Sequence, residues 1–323
     1  MKNSSADLVR KENEMEKIPL IAVVGPTASG KTKLGIELAK KLSGEVISAD
    51  SMQIYKGISI ASAAPSDEEM EGIPHHLIEF LELGDDFSVA DYVNLAKKQI
   101  KDIYARGKMP ILVGGTGLYV NSLVEGIEFS EQETDGDVRK RLESEMETLG
   151  AEEMLRRLYE IDEPTAKKLH PNNRRRIIRA LEVFETTGVT FSKLNELSRV
   201  GSEFETTLIG ITYKDREKLY DRINKRVDLM LQNGLLEEAE ATLNLPEGKG
   251  AMQAIGHKEL HKFLKCEQTM EEAVETLKRQ TRRYAKRQLT WFNKNKNIHW
   301  IYADCEDAVL RALEIVKGVR DNG

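Results

Sequence analysis

A parallel β-sheet, covered by helices on both faces and interrupted by a helical insertion domain, is the fold this 323-residue sequence predicts. Three observations predict it. Short β-branched apolar runs alternate with amphipathic stretches from residue 18 to about 127, as strands do when joined by crossover helices. The first run leads straight into a glycine-rich loop that opens a helix. From about 128 to 207 helical periodicity takes over, and an apolar run then returns.

Taken in order, 1–17 is a charged, disordered lead-in, with Asp7, Glu12, Glu14 and Glu16, and Met15 as an alternative start. It has no apolar core of a signal peptide, and its acids argue against a transit peptide. Ile18–Val24 reads as a buried strand, and Lys31–Leu42, with Leu34, Leu38 and Leu42 on one face, as a helix. Glu45–Ala49 is a second strand, Val89–Arg106 a helix, and Met109–Val113 a third strand before Gly114-Gly115-Thr116-Gly117. Residues 128–207 form the insertion. The core, 18–127, resumes at 208–323 with a strand over Leu208–Thr212 and long amphipathic helices over Asp215–Leu243 and Glu271–Lys294.

Composition excludes several classes. No run of about 18 apolar residues exists, so no membrane span is expected. Cys266 and Cys305 are far apart, which disfavours a zinc site or a disulfide framework and makes the cytoplasm the expected compartment. The 48 Lys and Arg against 54 Asp and Glu leave a net charge of −6. That sum argues against nucleic acid only until distribution is considered, because the cations are clustered.

The strongest motif is Gly25-Pro26-Thr27-Ala28-Ser29-Gly30-Lys31-Thr32. It matches G-x-x-x-x-G-K-[ST] between a strand and a helix, the context of a P-loop, so the core is expected to be P-loop NTPase-like. Backbone N–H groups and the helix N-terminus face a diphosphate or triphosphate there. Lys31 adds a full charge and Thr32 a hydroxyl for Mg²⁺. Asp50 ends the second strand, where the ligand crevice of an open parallel sheet lies. It is placed to hold Mg²⁺ through water or to take a proton, and equally to cap a turn. The Gly114–Gly117 run lies at the same sheet edge and is weak evidence alone.

Two basic clusters remain. Leu277, Thr281, Tyr284, Gln288 and Trp291 form one helical stripe, while Arg279, Arg282, Arg283, Lys286 and Arg287 fall on the opposite arc, with no acid from Leu277 to Lys296. Arg174, Arg175, Arg176 and Arg179 form the second, inside the insertion. Unpaired cations suit phosphates along a nucleic-acid backbone; the alternative is that acids elsewhere pair with them.

The sequence resembles the tRNA dimethylallyltransferases (tRNA isopentenyltransferases) of bacterial type. The resemblance rests on GPTASGKT at 25–32, ISADSMQIY at 47–55, ILVGGTGLY at 111–119 and AKRQLTWF at 285–292. Further matches are HPNNRRRIIRALEV at 170–183, DREKLYDRINKRVDLML at 215–231 and AIGHKEL at 254–260, so that it covers about 18–300. No zinc-finger pattern follows the basic helix.

This resemblance implies a P-loop that holds dimethylallyl diphosphate with Mg²⁺, and an acceptor at N6 of adenine 37 in the anticodon stem-loop of tRNA. Asp50 corresponds to the general base. Asp50, Ser51, Met52 and Gln53 correspond to contacts with the flipped adenine and its neighbours. Thr116, Arg139 and the stretch Arg175, Arg176 to Arg179 correspond to tRNA contacts, which the basic arc of the C-terminal helix extends to Arg282 and Arg283. Thr27 corresponds to a residue near the leaving group and Arg222 to a diphosphate-binding arginine, with Arg226 as the fallback. A monomer is expected.

Some residues depart from the family pattern. Ile60-Ala61-Ser62-Ala63-Ala64-Pro65 stands where relatives have I-G-T-A-K-P; His257 replaces a tyrosine, Asn173 an aspartate and Asn293 an arginine. The alternative enzymes are an adenylate isopentenyltransferase acting on free AMP, ADP or ATP, and a nucleotide or small-molecule kinase. A P-loop tRNA-binding protein without catalysis is the non-enzyme alternative.

Overall fold

The computed structural model describes residues 17–128, 136–199, 201–244 and 254–321. The chain divides into two compact units, one formed by residues 1–124 and 203–323, the other by 125–202. Most of the expected lead-in, residues 1–16, lies outside the described residues.

In the larger unit β1 (Ile18–Val24) is followed by α1 (Lys31–Leu42), β2 (Gly44–Ser48), two single helical turns at Ser59–Ser62 and Asp67–Met70, and β3 (His75–His76). Then come α2 (Val89–Ala105), β4 (Met109–Gly114) and α3 (Gly117–Val124). The smaller unit holds α4 (Gly136–Leu149), α5 (Ala151–Ile161), a turn at Glu163–Ala166, α6 (Arg174–Thr187) and α7 (Phe191–Leu197). The chain returns through β5 (Phe204–Thr212), α8 (Arg216–Gln232), α9 (Leu235–Thr242), α10 (His257–Leu264), α11 (Met270–Phe292), β6 (His299–Tyr302) and α12 (Ala308–Asp321).

The six strands are parallel in the order β3-β2-β4-β1-β5-β6. Strand periodicity explains the two covered faces. Leu20, Ala22 and Val24 of β1 pack against Tyr92, Val93 and Ile100 of α2 and Val120 and Leu123 of α3. Ile21 and Val23 point the other way, toward Leu34 and Leu38 of α1 and Ile315 and Val316 of α12. A central strand buried on both sides has no polar alternation, which is why β1 is so legible. The smaller unit has its own core of Leu142, Met146, Met154, Leu158, Ile177 and Leu181.

The structure departs from the expected elements at several points. β5 begins at Phe204, four residues before the expected Leu208, because Ile18–Ile21 of β1 pairs with Phe204–Thr207. Polar Glu205, Thr206 and Thr207 hide that half of the strand from a hydropathy reading. The helix expected over Asp215–Leu243 is two helices, broken at Asn233 and Gly234, the latter at φ 98°. The short edge strands β3 and β6 were not anticipated. No described helix is long and apolar enough to cross a membrane.

Candidate active site

The site is assembled from the ends of β1, β2 and β4, where three loops meet. After Val24 the chain curls through the P-loop into α1. Gly30 takes φ 98°, a left-handed conformation that glycine adopts without a Cβ clash, and so releases the first turn of α1. That turn contains no acid. Its positive end therefore keeps its attraction for an anion. Ser29 Oγ is buried and has no partner among the described residues. Lys31 Nζ donates to the carbonyl of Pro26 at 2.8 Å. Burial and the neighbouring Arg226 push the Lys31 ammonium down to about 8, while the Asp50 charge works in the opposite direction.

Asp50 lies two residues past the end of β2, after Ala49. Its Oδ1 accepts from Met52 N at 2.9 Å, an Asx-turn that orients the carboxylate and leaves Oδ2 without a partner among the described residues. The turn reading of Asp50 and the chemical reading are thus compatible: one oxygen holds the loop and the other is available. The loop is tied to the third strand end by Thr116, whose Oγ1 accepts from Ser51 N at 3.0 Å and lies 3.3 Å from Ser51 Oγ. Thr116 N in turn donates to Ala49 O at 3.1 Å. Gln53 is likewise engaged within the chain, accepting from Ser48 Oγ at 2.8 Å and donating to Ala63 O at 3.1 Å. Tyr92 and Tyr119 stack beneath the loop at 4.0 Å, and the Tyr92 hydroxyl donates to Ser48 O at 3.0 Å.

One residue that sequence reasoning missed links two of the loops. Gln288 of α11 accepts from Thr27 N at 2.8 Å and donates to Gly115 O at 3.0 Å. The approach is so close that a Cβ on Gly115 would stand 2.1 Å from Gln288 Nε2. The available signal was a glutamine inside an otherwise largely apolar stripe, which a buried helix face holds only when both ends of the amide are satisfied. Tyr284, one turn earlier, is pushed upward by burial and then by the Asp50 charge, against opposing contributions from Thr116 and others. Burial and the charge of Asp50 thus govern a phenol as well as Lys31.

The arginines of α8 complete the anion side. Arg222 and Arg226 are one turn apart on the same helix face. Arg222 Nε donates to Ala28 O of the P-loop at 3.0 Å, with its guanidinium 5.4 Å from the Tyr213 ring centroid. Arg226 donates to Ala63 O at the long distance of 3.5 Å. Burial lowers Arg226, and the charges of Asp50 and Glu69 oppose that shift. The expected choice between the two arginines is not needed to bring a cation to the loop, since both are there. For Mg²⁺, Thr32 in the first turn of α1 offers one hydroxyl, and among the described residues no group of three His, Cys, Asp or Glu could hold a metal ion. That donor set suits an ion bound mainly by diphosphate oxygens and water, as Mg²⁺ often is.

A protein-family model described as IPP transferase matches residues 53–295. A tRNA dimethylallyltransferase of Acetivibrio thermocellus is 50% identical over 301 residues, covering 92% of this chain and 96% of that protein. One from Thermoanaerobacter sp. (strain X514) is 48% identical over 291 residues, covering 89% and 92%. The chain belongs to the IPP transferase family. Among solved structures, the full-length tRNA isopentenylpyrophosphate transferase of Bacillus halodurans superposes with a TM-score of 0.71 at 42% identity, covering 94% of this chain and 98% of that one. A eukaryotic dimethylallyltransferase described as acting on tRNA gives 0.81 at 30% identity, covering 94% and 80%.

In this IPP transferase the expected polymer contacts divide into free and paired cations. In the smaller unit Arg139 and Arg179 both bond Glu182 Oε2, at 3.4 and 2.9 Å, and Glu182 is fully buried. Arg174 pairs with Glu147 at 2.7 Å. Arg175 and Arg176 are exposed. In the larger unit Arg282, expected on an unpaired arc, donates to Asn224 Oδ1 at 2.7 Å and to Glu275 at 3.2 Å. Glu275 lies two turns back, just outside the acid-free segment. Arg283, Lys286 and Arg287 remain exposed, and a small cleft between α8 and α11 adds Arg216 and Tyr220 beside Lys286.

Proposed function

We propose that the chain transfers the dimethylallyl group of dimethylallyl diphosphate to N6 of adenine 37 in the anticodon stem-loop of tRNA, releasing diphosphate. The observation that carries this reading is the pairing of an oriented carboxylate, Asp50, with an anion cradle that holds three cations. A kinase would use the same loop, but family membership favours alkyl transfer.

The amino group of adenine is a poor nucleophile because its lone pair is delocalised into the ring. Asp50 Oδ2 accepts a hydrogen bond from N6 and then its proton as the N6–C1 bond forms. The C1–O bond of the diphosphate breaks at the same carbon, and the electron pair leaves with the diphosphate. Lys31, Arg222, Arg226 and the N–H groups at the start of α1 stabilise that growing charge. Thr27 lies beside the leaving oxygen. Mg²⁺, held through Thr32, supplies further charge neutralisation when bound. Ser51, Met52 and Gln53 line the position of the extruded base, which must leave its stack to be reached. Arg175 and Arg176 with Arg283 supply phosphate contacts, while Arg139 and Arg179 anchor on Glu182, Arg282 anchors on Asn224 and Glu275, and Thr116 holds the Ser51 loop. The reading places the protein in the cytoplasm, acting as a monomer.

Labelled dimethylallyl diphosphate supplied separately with unmodified tRNA and with AMP tests the proposal. Label is expected in tRNA alone. Label in AMP alone would assign the protein to the nucleotide-modifying enzymes. Phosphate transfer from ATP without alkyl transfer would make it a kinase.

A further inference from the structure

A buried carboxylate outside the described machinery collects three donors. Glu238 of α9 accepts from Ile60 N at 2.8 Å through Oε2, and from Ala61 N at 2.9 Å through Oε1. His257 Nε2 reaches the same Oε1 at 2.9 Å. The His257 side chain is fully buried and that of Glu238 is 8% exposed. His257 Nδ1 lies 3.2 Å from Thr242 Oγ1, which also lies 3.1 Å from His261 Nε2. His257 Nε2–H donates to the carboxylate, His261 Nε2–H donates to Ala239 O at 2.8 Å, and the Thr242 hydroxyl donates to the same Ala239 O at 3.0 Å. The Ala61 N–H and His257 Nε2 therefore meet on one carboxylate oxygen.

The donors from the backbone belong to the single helical turn Ser59–Ser62. A turn this short does not hold itself, since it fixes several dihedrals for one or two hydrogen bonds. Glu238 supplies charge-assisted partners for two of its orphan N–H groups. The turn ends at Ala63 in a left-handed conformation, φ 51°. The Ala63 carbonyl then receives both Gln53 Nε2 and Arg226. A continuous path thus runs from a buried carboxylate, through a capped turn, to one residue of the Asp50 loop and one cation of the anion cradle.

We propose that Glu238 is a positioning residue for the transfer reaction, acting through the 59–63 turn on Arg226 and Gln53 without touching either substrate. The inference rests on the reading of Arg226 as a diphosphate ligand. Glu238→Gln keeps the volume but leaves one acceptor oxygen for three donors. The single-turnover rate of dimethylallyl transfer to tRNA is expected to fall about tenfold, in keeping with the cost of a small misplacement. KM for dimethylallyl diphosphate should rise, and tRNA affinity should stay unchanged. In an Arg226→Ala, Gln53→Ala background the same substitution should add less than about twofold, because both branches of the path are already cut. Wild-type rates in Glu238→Gln, or losses that multiply independently of that double background, overturn the inference. Amide exchange on the wild-type protein supplies a readout that needs no variant to fold. Saturating inorganic diphosphate should slow exchange at Ile60 and Ala61 by about tenfold, because coupling is reciprocal; unchanged exchange also overturns it. A wild-type protein that transfers no label to tRNA would instead defeat the functional reading itself.

Discussion

The cations of the larger unit's active site and those of the helical insertion are held in opposite ways. Lys31, Arg222 and Arg226 rest on backbone carbonyls, those of Pro26, Ala28 and Ala63. In the insertion, Arg139 and Arg179 share the Glu182 carboxylate, and Arg141 and Arg157 bridge Glu145 and Glu185. A carbonyl orients a cation without neutralising it, whereas a carboxylate cancels its charge. The first arrangement is poised for an anion. The second builds a scaffold from which the exposed Arg175 and Arg176 keep their charge for a partner.

The sharpest way to break this contrast is at the active site. Asp50→Ala is expected to lower turnover by roughly 10²–10⁴ with little change in tRNA affinity, and a single-turnover assay with separate tRNA binding measures both. Lys31→Ala should come next, losing about 10²–10³ in kcat/KM for dimethylallyl diphosphate while tRNA binding is retained. If tRNA binding fell equally, the carbonyl-held cations would not be a dedicated diphosphate site.

In the insertion, Arg175→Glu with Arg176→Glu should weaken tRNA binding and reduce its salt slope by about two. Arg139→Ala with Arg179→Ala should instead cost stability, because Glu182 is left buried without a cation; about 3 kcal/mol is the scale for orphaning a buried charge. Urea unfolding against salt-dependent filter binding separates the two. The mildest effect is that of pH. Lys31 in the free enzyme sits at about 8. The charge that attracts diphosphate is therefore present below pH 8 and lost above it, so kcat/KM for the diphosphate substrate should fall as pH rises through 8. Bound diphosphate raises the Lys31 value again, so kcat at saturation should fall only at higher pH.

Much of this was legible in the sequence. GPTASGKT is readable because a loop that wraps an anion tolerates few residue types, and β1 because both of its faces are apolar. Asp50 was readable from its place at a strand end, although only the structure shows the turn that orients it. Other features depend on partners remote in sequence. Gln288 meets Thr27 across 261 positions, and its place in a largely apolar stripe marks it as a buried amide without naming its partners. Glu238 looks like any other solvated acid in Leu235-Leu236-Glu237-Glu238 until the turn at 59–62 is folded against it. Arg282 looked free because Glu275 lay just beyond the acid-free window. The Phe204 half of β5 was missed because its polar residues are held by ladder pairing with β1, an interaction hydropathy does not report.

The span bridged by Gln288 bears on how the enzyme matures. A ribosome delivers Thr27 of the glycine-rich loop 261 positions before the Gln288 amide that joins it to Gly115. An unfinished polypeptide therefore presents its phosphate-binding segment without the strut that fixes its shape, and premature termination before α11 should yield a product that lacks a correctly formed loop.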